Sequence, residues 1–361
     1  MKFTGYALSL MLISAGAIAQ DMKMVGTVDH TIRSSGSYSA MTSSSPIRHI
    51  RFMQIELSPH AQQIFKNRAQ IELQSLQSPS VNQAGSGSKV QLDMGNVPVL
   101  DQGGYGSCVT FANTAALDAA LNQGDYISQV CLLQLGRYVE NNGYSPSGWN
   151  GSTGGIVLNT ISDFGVISKA QQRTNGCGGL TEYPKTGGGE TAPGTEMSPA
   201  DYHQMSEQLF NETILWSPIL DFYQTLLDKP VLEDTLNQVK SALNAGDRLT
   251  FGVLLPSIDS GLAGAVGKHH SANDSWVLTP EIVKDIDKSY PDMPGHEMII
   301  TGFDDDAVAV DNHGKSHIGL LTLRNSWGTR YGDNGNFYMS YDYFKALAVE
   351  VQRIRNHSLL D

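Results

Sequence analysis

From Lys23 to Arg33, valine, threonine and isoleucine alternate with polar residues, and Ile47 to Leu57 repeats the alternation after a Ser/Gly-rich stretch. Two such runs around a flexible connection predict a β-hairpin. Ser58-Pro59 then supplies an N-cap and a first-turn proline, opening a helix to about Leu76 with Ile64, Phe65, Ile71, Leu73 and Leu76 as its apolar side. Ser75 to Lys89 is polar, contains Pro79 and reads as a linker open to proteolysis. Beyond Val90 the periodicity is helical. Val109 to Leu121 holds seven alanines and leucines and stops short of Gly124. Ser128 to Asn141 and Ile156 to Phe164 give two further helices, and Gly143 to Gly155 and Thr186 to Ala200 read as loops. A short helical piece is expected around Met205 to Phe210. Leu232 to Asn244 is an amphipathic helix leading into a strand at Leu249 to Leu255, whereas Ser257 to Pro294 reads as an insertion without a pattern. Glu297 to Phe303, His317 to Arg324 and Gly335 to Ser340 are short strands divided by Asp/Asn/Gly turns. Helices first and strands after predict an α+β architecture in two lobes.

Composition narrows the class. The chain has 361 residues and a formal net charge of −12, which disfavours nucleic acid and anionic membranes as partners. No internal apolar run is long enough to span a bilayer. Lys2, the apolar stretch Tyr6 to Ile18 and the small-residue site Ala17-Ile18-Ala19 predict a signal peptide over residues 1–19, hence a secreted or periplasmic protein. Three cysteines in an exported chain suggest one bridge and one free thiol. Pairing Cys131 with Cys177 leaves Cys108 free.

Cys108 follows a glycine-rich turn in Asp101–Ala112 (DQGGYGSCVTFA) and opens a helix, with Ser107 as the expected cap. Backbone N–H groups and the helix dipole at that position favour a thiolate. Taken singly, a cysteine in a helix is more often a small core residue, a strand histidine such as His296 a hydrogen-bonded one, Asn325 a turn residue and Gln102 a surface amide. Three stretches together change the reading. Gln102 with Gly106-Ser107-Cys108 and Phe111-Ala112 resembles the nucleophile motif of papain-like cysteine proteases. Gly295-His296-Glu297 through Asp305 resembles that family's histidine strand, and Arg324-Asn325-Ser326-Trp327-Gly328 through Phe337 its asparagine motif.

The resemblance runs loosely over Pro98 to Tyr343 and implies a two-lobed papain-like domain over residues 90–361. It implies Cys108 as nucleophile, His296 as its base and later acid, Asn325 as the residue orienting the imidazole, and Trp327 as a cover over that pair. Gln102 and the Cys108 N–H would form the oxyanion hole. It places Gly154 and Gly155 beside the substrate backbone. Glu297 would stand at the pocket for the second residue before the scissile bond, where a carboxylate attracts lysine or arginine. Two positions depart from the family: Val109 stands for its tryptophan and Tyr105 for a structural cysteine, so the usual bridge beside the nucleophile is missing.

Residues 20–89 are expected to be a pro-region whose hairpin and helix cover the cleft of a zymogen, the alternative being an interaction module. No metal or organic cofactor is expected, and the substrates would be proteins or peptides met by a monomer. His269-His270, the His313/His317 pair and the Asp304-Asp305-Asp306 run read as solvated loop and turn residues rather than ion ligands. The rival functions are a catalytically inactive binding protein of the same fold and a thiol amidase or transferase.

Overall fold

The structure is a computed structural model and describes residues 21–33, 47–76, 87–189, 191–209, 214–223, 225–226, 232–257 and 274–356. The expected signal peptide, the Ser/Gly-rich turn of the hairpin, most of the linker, and His269-His270 lie outside the described residues. Helices and strands mix as an α+β fold, with a ten-stranded sheet among the described residues.

The sheet is organised by one long strand, β7 (Asp292–Val310). The N-terminal strands β1 (Met22–Arg33) and β2 (Ile47–Leu57) form the expected antiparallel hairpin. β2 continues into the main sheet, pairing Met53 with Gly295 through Glu56 with Asp292. On the same edge β8 (Ser316–Arg324) pairs with β7 from Ile299 onward, leaving His296 to Met298 between the two partners. The opposite edge carries β5 (Arg248–Leu254) and the short β3 (Lys89–Gln91). Beyond β5 lie β10 (Ala348–Asn356) and then β4 (Ile214–Leu220), while β9 (Asn336–Ser340) and β6 (Ser275–Trp276) extend the sheet past β8. Pro218 is tolerated within β4 because that strand forms the sheet edge, where a missing N–H breaks no ladder.

Helices cover both sheet faces. α1 (Pro59–Ser75) is capped by Ser58, whose side chain accepts from the Ala61 N–H. It packs on α8 (Pro280–Ser289) and α9 (Tyr341–Leu347). Met22, Ile50, Phe52, Ile55, Leu57, Ala61, Phe65 and Ala69 are all buried, in one core with Phe251, Leu321 and Phe344 of the sheet side. Each large member contributes about 1.5–3 kcal/mol when fully buried, so the N-terminal segment is an integral layer of this core. Lys345 of α9 meets Glu72 of α1 at 2.9 Å across the same contact.

On the other face α2 (Cys108–Leu121) lies against β7, β5 and β10, with α3 (Gln129–Asn141) and α4 (Gly154–Phe164) beside it. The remaining helices are α5 (Lys169–Asn175), α6 (Pro199–His203) and α7 (Leu232–Asn244). α6 replaces the helical piece expected at Met205 to Phe210: Ser198-Pro199 caps it, and Met205 lies beyond its end. α2 stops at Asn122, which takes the left-handed cap conformation (φ 55°) two residues before Gly124.

Candidate active site

Cys108 is the first residue of α2 and is completely buried. Ser107 occupies the N-cap position without capping; its hydroxyl instead pairs with the Tyr183 hydroxyl at 2.9 Å. Tyr183 is also held by the carbonyl of Gln102, 2.7 Å away. The loop that leads into Cys108 therefore rests on aromatic rings. Tyr105 meets Trp149 edge-on at 5.0 Å, Tyr183 stacks on Trp149 at 5.8 Å, and Phe111 meets Tyr183 at 4.8 Å. The disulfide joins Cys131 to Cys177, tying α3 to the loop after α5.

His296 lies on β7, and α2 packs directly on that strand. Its Nε2 lies 2.9 Å from Asn325 Oδ1. The same oxygen accepts from the Ser326 N–H at 2.7 Å, which fixes the amide orientation, so Nε2 must donate. Nδ1 of the neutral imidazole is thus the lone-pair nitrogen, and it is buried without a hydrogen-bond partner. Trp327 stacks on the imidazole with ring centroids 4.9 Å apart. Gln102 is buried: its Nε2 donates to the Tyr105 carbonyl at 2.9 Å and its Oε1 accepts from Ser326 Oγ at 2.6 Å. That clamp joins the loop before Cys108 to the loop at Asn325 and Ser326.

Burial opposes the thiolate that a helix start favours. It pushes the Cys108 thiol up to about 12, with the Glu297 backbone N–H pulling the other way and the Glu297 carboxylate adding to the rise. It holds the His296 imidazolium down to about 4 against the bond to Asn325. Both groups are therefore neutral in this state. The cover comes from the hairpin: Phe52 stands edge-on to His296 and to Trp327, at 5.4 and 5.8 Å. Met24 and Met53 close over Gly151, where an added Cβ would meet Met24 Sδ at 2.6 Å, and Thr27 closes over Gly106. Arg48 of β2 pins the hairpin down through Asp101 and, at 2.9 Å, through the Trp327 carbonyl.

Glu297 is not in an open pocket wall but wholly buried. Asn113 of α2 donates to its Oε1 at 2.6 Å, and Thr250 in turn donates to Asn113. Its neighbour is Glu350 of β10, which accepts from the Gly154 N–H at 3.0 and 3.1 Å. Glu297 Oε2 is buried without a hydrogen-bond partner, in a site shared with the Glu350 carboxyl. Burial first, and the Glu350 charge second, raise the Glu297 carboxyl well above its ordinary range. Gly154 needs to be glycine, since a Cβ would sit 2.8 Å from Gln352 Cγ and 3.1 Å from Glu297 Oε1. Gly155 follows it in the first turn of α4. Phe52, Asn113 and Glu350 were not singled out by sequence; their roles depend on long-range contacts that no local pattern encodes.

His317 differs from its expected solvated place. It is fully buried, with Nδ1 2.7 Å from Asp342 and Nε2 3.4 Å from Asp311. His313 meets Glu281 at 2.8 Å, and Asp304 and Asp305 are held by Lys89 and Lys240.

No protein-family model and no curated protein matches the chain. Among solved structures it is similar to xylellain, a cysteine protease from Xylella fastidiosa, at 20% identity and a TM-score of 0.44, over 77% of this chain and 90% of that one. It is similar to the bromelain protease from Ananas comosus in complex with the E64 inhibitor at 17% identity and a TM-score of 0.43, over 74% and 98%. The digestive procathepsin L 3 of Tenebrio molitor larval midgut has 16% identity and a TM-score of 0.40, over 77% and 74%.

Proposed function

We propose that the chain is an exported papain-like cysteine endopeptidase, made as a zymogen in which the N-terminal hairpin covers the cleft. The observation that carries this reading is the held imidazole: Nε2 of His296 is committed to Asn325, and Nδ1 is left without a partner on the strand packed against the Cys108 helix.

In the uncovered enzyme, Nδ1 takes the Cys108 proton and the thiolate attacks the scissile carbonyl carbon. The carbonyl π-electrons move to oxygen, which accepts from the Cys108 N–H and from the Gln102 side-chain amide. The imidazolium then protonates the leaving amine as the C–N bond breaks, giving a thioester on Cys108. Water, deprotonated by Nδ1, hydrolyses it to the carboxylic acid and restores the thiol. Asn325 keeps the ring from turning, and Trp327 keeps water off the Nε2 bond. Burial of Cys108 and of His296, with Phe52 against the imidazole, supports the zymogen assignment, and the Cys131–Cys177 bridge supports an oxidising destination.

A thiol-directed epoxide tests the reading. The full chain should label slowly, a chain cut within Ser75 to Lys89 and freed of the hairpin and α1 should label stoichiometrically at Cys108, and His296→Ala should abolish labelling. A stripped chain that remains unlabelled at neutral or mildly acid pH favours the inactive binding protein instead.

A further inference from the structure

Ser107 stands in the N-cap position of α2 and does not cap it. Ser58, Ser128, Thr153, Ser168, Ser198 and Thr279 precede other helices, and each accepts from a first-turn N–H, with ψ between 111° and 163°. Ser107 departs from them with ψ 18°, although its carbonyl still accepts from the Phe111 N–H at 3.1 Å. The helix start is thus regular, and the hydroxyl points elsewhere. Tyr183 is what turns it. Burial raises the Tyr183 phenol, which therefore keeps its proton. That proton goes to the Gln102 carbonyl at 2.7 Å, since a carbonyl can only accept. The Ser107 hydroxyl, 2.9 Å from the phenol oxygen, must then be the donor to it. Ser107 is wholly buried, so without the phenol its hydroxyl would be orphaned. The place open to a capping hydroxyl is the first turn, among the N–H groups of Val109 and Thr110. The Val109 N–H already has a use there. Against the burial that raises the Cys108 thiol, the N–H groups of Glu297, Val109 and Cys108 itself favour the thiolate. Tyr183 is held in turn: its ring lies between Trp149 and Phe111, and the Gly187 carbonyl, four residues on, accepts from the Gly104 N–H at 3.2 Å.

We propose that Tyr183 is a positioning residue for Cys108: its hydroxyl draws Ser107 off the start of α2 and keeps the first-turn N–H groups open to the sulfur and to the substrate oxygen. Tyr183 acts through Ser107 and takes no part in the bond changes themselves. The effect on reactivity rests on the reading of Cys108 as the nucleophile; the effect on Ser107 stands without it.

Tyr183→Phe in the full chain tests this, because the ring keeps its place between Trp149 and Phe111 and only the hydroxyl is lost. A crystal structure of that variant should show Ser107 Oγ turned onto the Val109 or Thr110 N–H. Epoxide labelling of Cys108, from mildly acid to neutral pH, should slow about tenfold, as loss of one N–H bond to a thiolate does. The rates are compared after division by the frequency of hairpin opening, read from hydrogen exchange of the β1 amides. Adding Ser107→Ala should restore the rate, because no hydroxyl is left to enter the first turn. A Ser107 that keeps its conformation in Tyr183→Phe would overturn the inference. So would a double variant as slow as the single one, which would put the effect on the Gln102 carbonyl instead. Should no form of the chain label, the endopeptidase reading fails, and the position of Ser107 Oγ in the variant still decides this one.

Discussion

The Phe52 ring stands edge-on to the His296 imidazole, centroids 5.4 Å apart and planes at 80°, so a residue from the start of the chain seals the base of the candidate triad. Phe52 also belongs to the core shared by the sheet and the N-terminal segment. One side chain thus serves both folding and concealment.

Phe52→Ala should cost about 3–5 kcal/mol, the usual penalty for emptying a buried phenylalanine site. It should also speed epoxide labelling of Cys108. Phe65→Ala is the control: that ring is equally buried on α1 but makes no ring contact with His296. Denaturant unfolding paired with labelling rates separates them. Equal acceleration in both variants would mean that general loosening, not the Phe52 lid, governs access.

Acid should loosen the cover. A base whose pKa is depressed stabilises the form that depresses it at pH above its ordinary value, and that stabilisation fades as pH falls through the lowered one. For His296 the window runs from 6.5 down to about 4. Its contribution should make hairpin opening about 30-fold more frequent near pH 5 than near pH 7.5, worth about 2 kcal/mol. Hydrogen exchange of β1, corrected for intrinsic rates, reads this as the difference between wild type and His296→Gln. An identical pH dependence in both would rule His296 out as the trigger.

Gln102→Ala in the uncovered enzyme should lower kcat by about 10²–10³-fold with little change in KM, as removal of a transition-state donor does. Because Gln102 also accepts from Ser326 Oγ, Ser326→Ala is needed beside it. That variant breaks the clamp and keeps the donor, so its kcat should fall far less. Steady-state kinetics with matched losses would reduce Gln102 to a spacer between loops.

Glu297→Gln should keep stability within about 1 kcal/mol at neutral pH, because the amide oxygen keeps the bond from Asn113 and no ionisable group is left to bury. A raised carboxyl pKa stabilises the fold fully below the ordinary value of 4.5 and loses that effect as pH rises through the raised one. Wild type should therefore weaken toward alkaline pH and Glu297→Gln should not, as followed by urea unfolding. Glu350 is the member of the pair whose charge the Gly154 N–H favours, against the burial that raises its carboxyl. Any taste for lysine or arginine at the second residue before the scissile bond should survive Glu297→Gln and vanish in Glu350→Gln. A peptide library unaffected by Glu350→Gln would separate the pair from specificity.

The sequence made the hairpin, α1 and the three motif segments legible because each rests on local order: alternation, a Ser-Pro start, or fixed spacing around Cys108, His296 and Asn325. β4 was hidden by Pro218, which reads as a strand breaker until its edge position is known. β10 was hidden because Glu350 and Gln352 are buried polar residues in a central strand, at 2% and 1% exposure, whose cost is met only by partners distant in sequence. The same long-range bonding turned Glu297 from an open wall into a buried carboxyl held by Asn113. Alternation in the hairpin announced one buried face, yet nothing local revealed that the face belonged to the β7 sheet.

If the proposed zymogen sheds its hairpin, the continuity of β2 with β7 carries a further cost. Once the hairpin departs, Asp292 to Gly295 lose their ladder partners on that edge. An unpaired strand edge is a template for another chain. Liberation of the cleft would thus create a self-association site immediately before the histidine strand's working residue. The mature protein would need a new cap there, or would exchange solubility for activity.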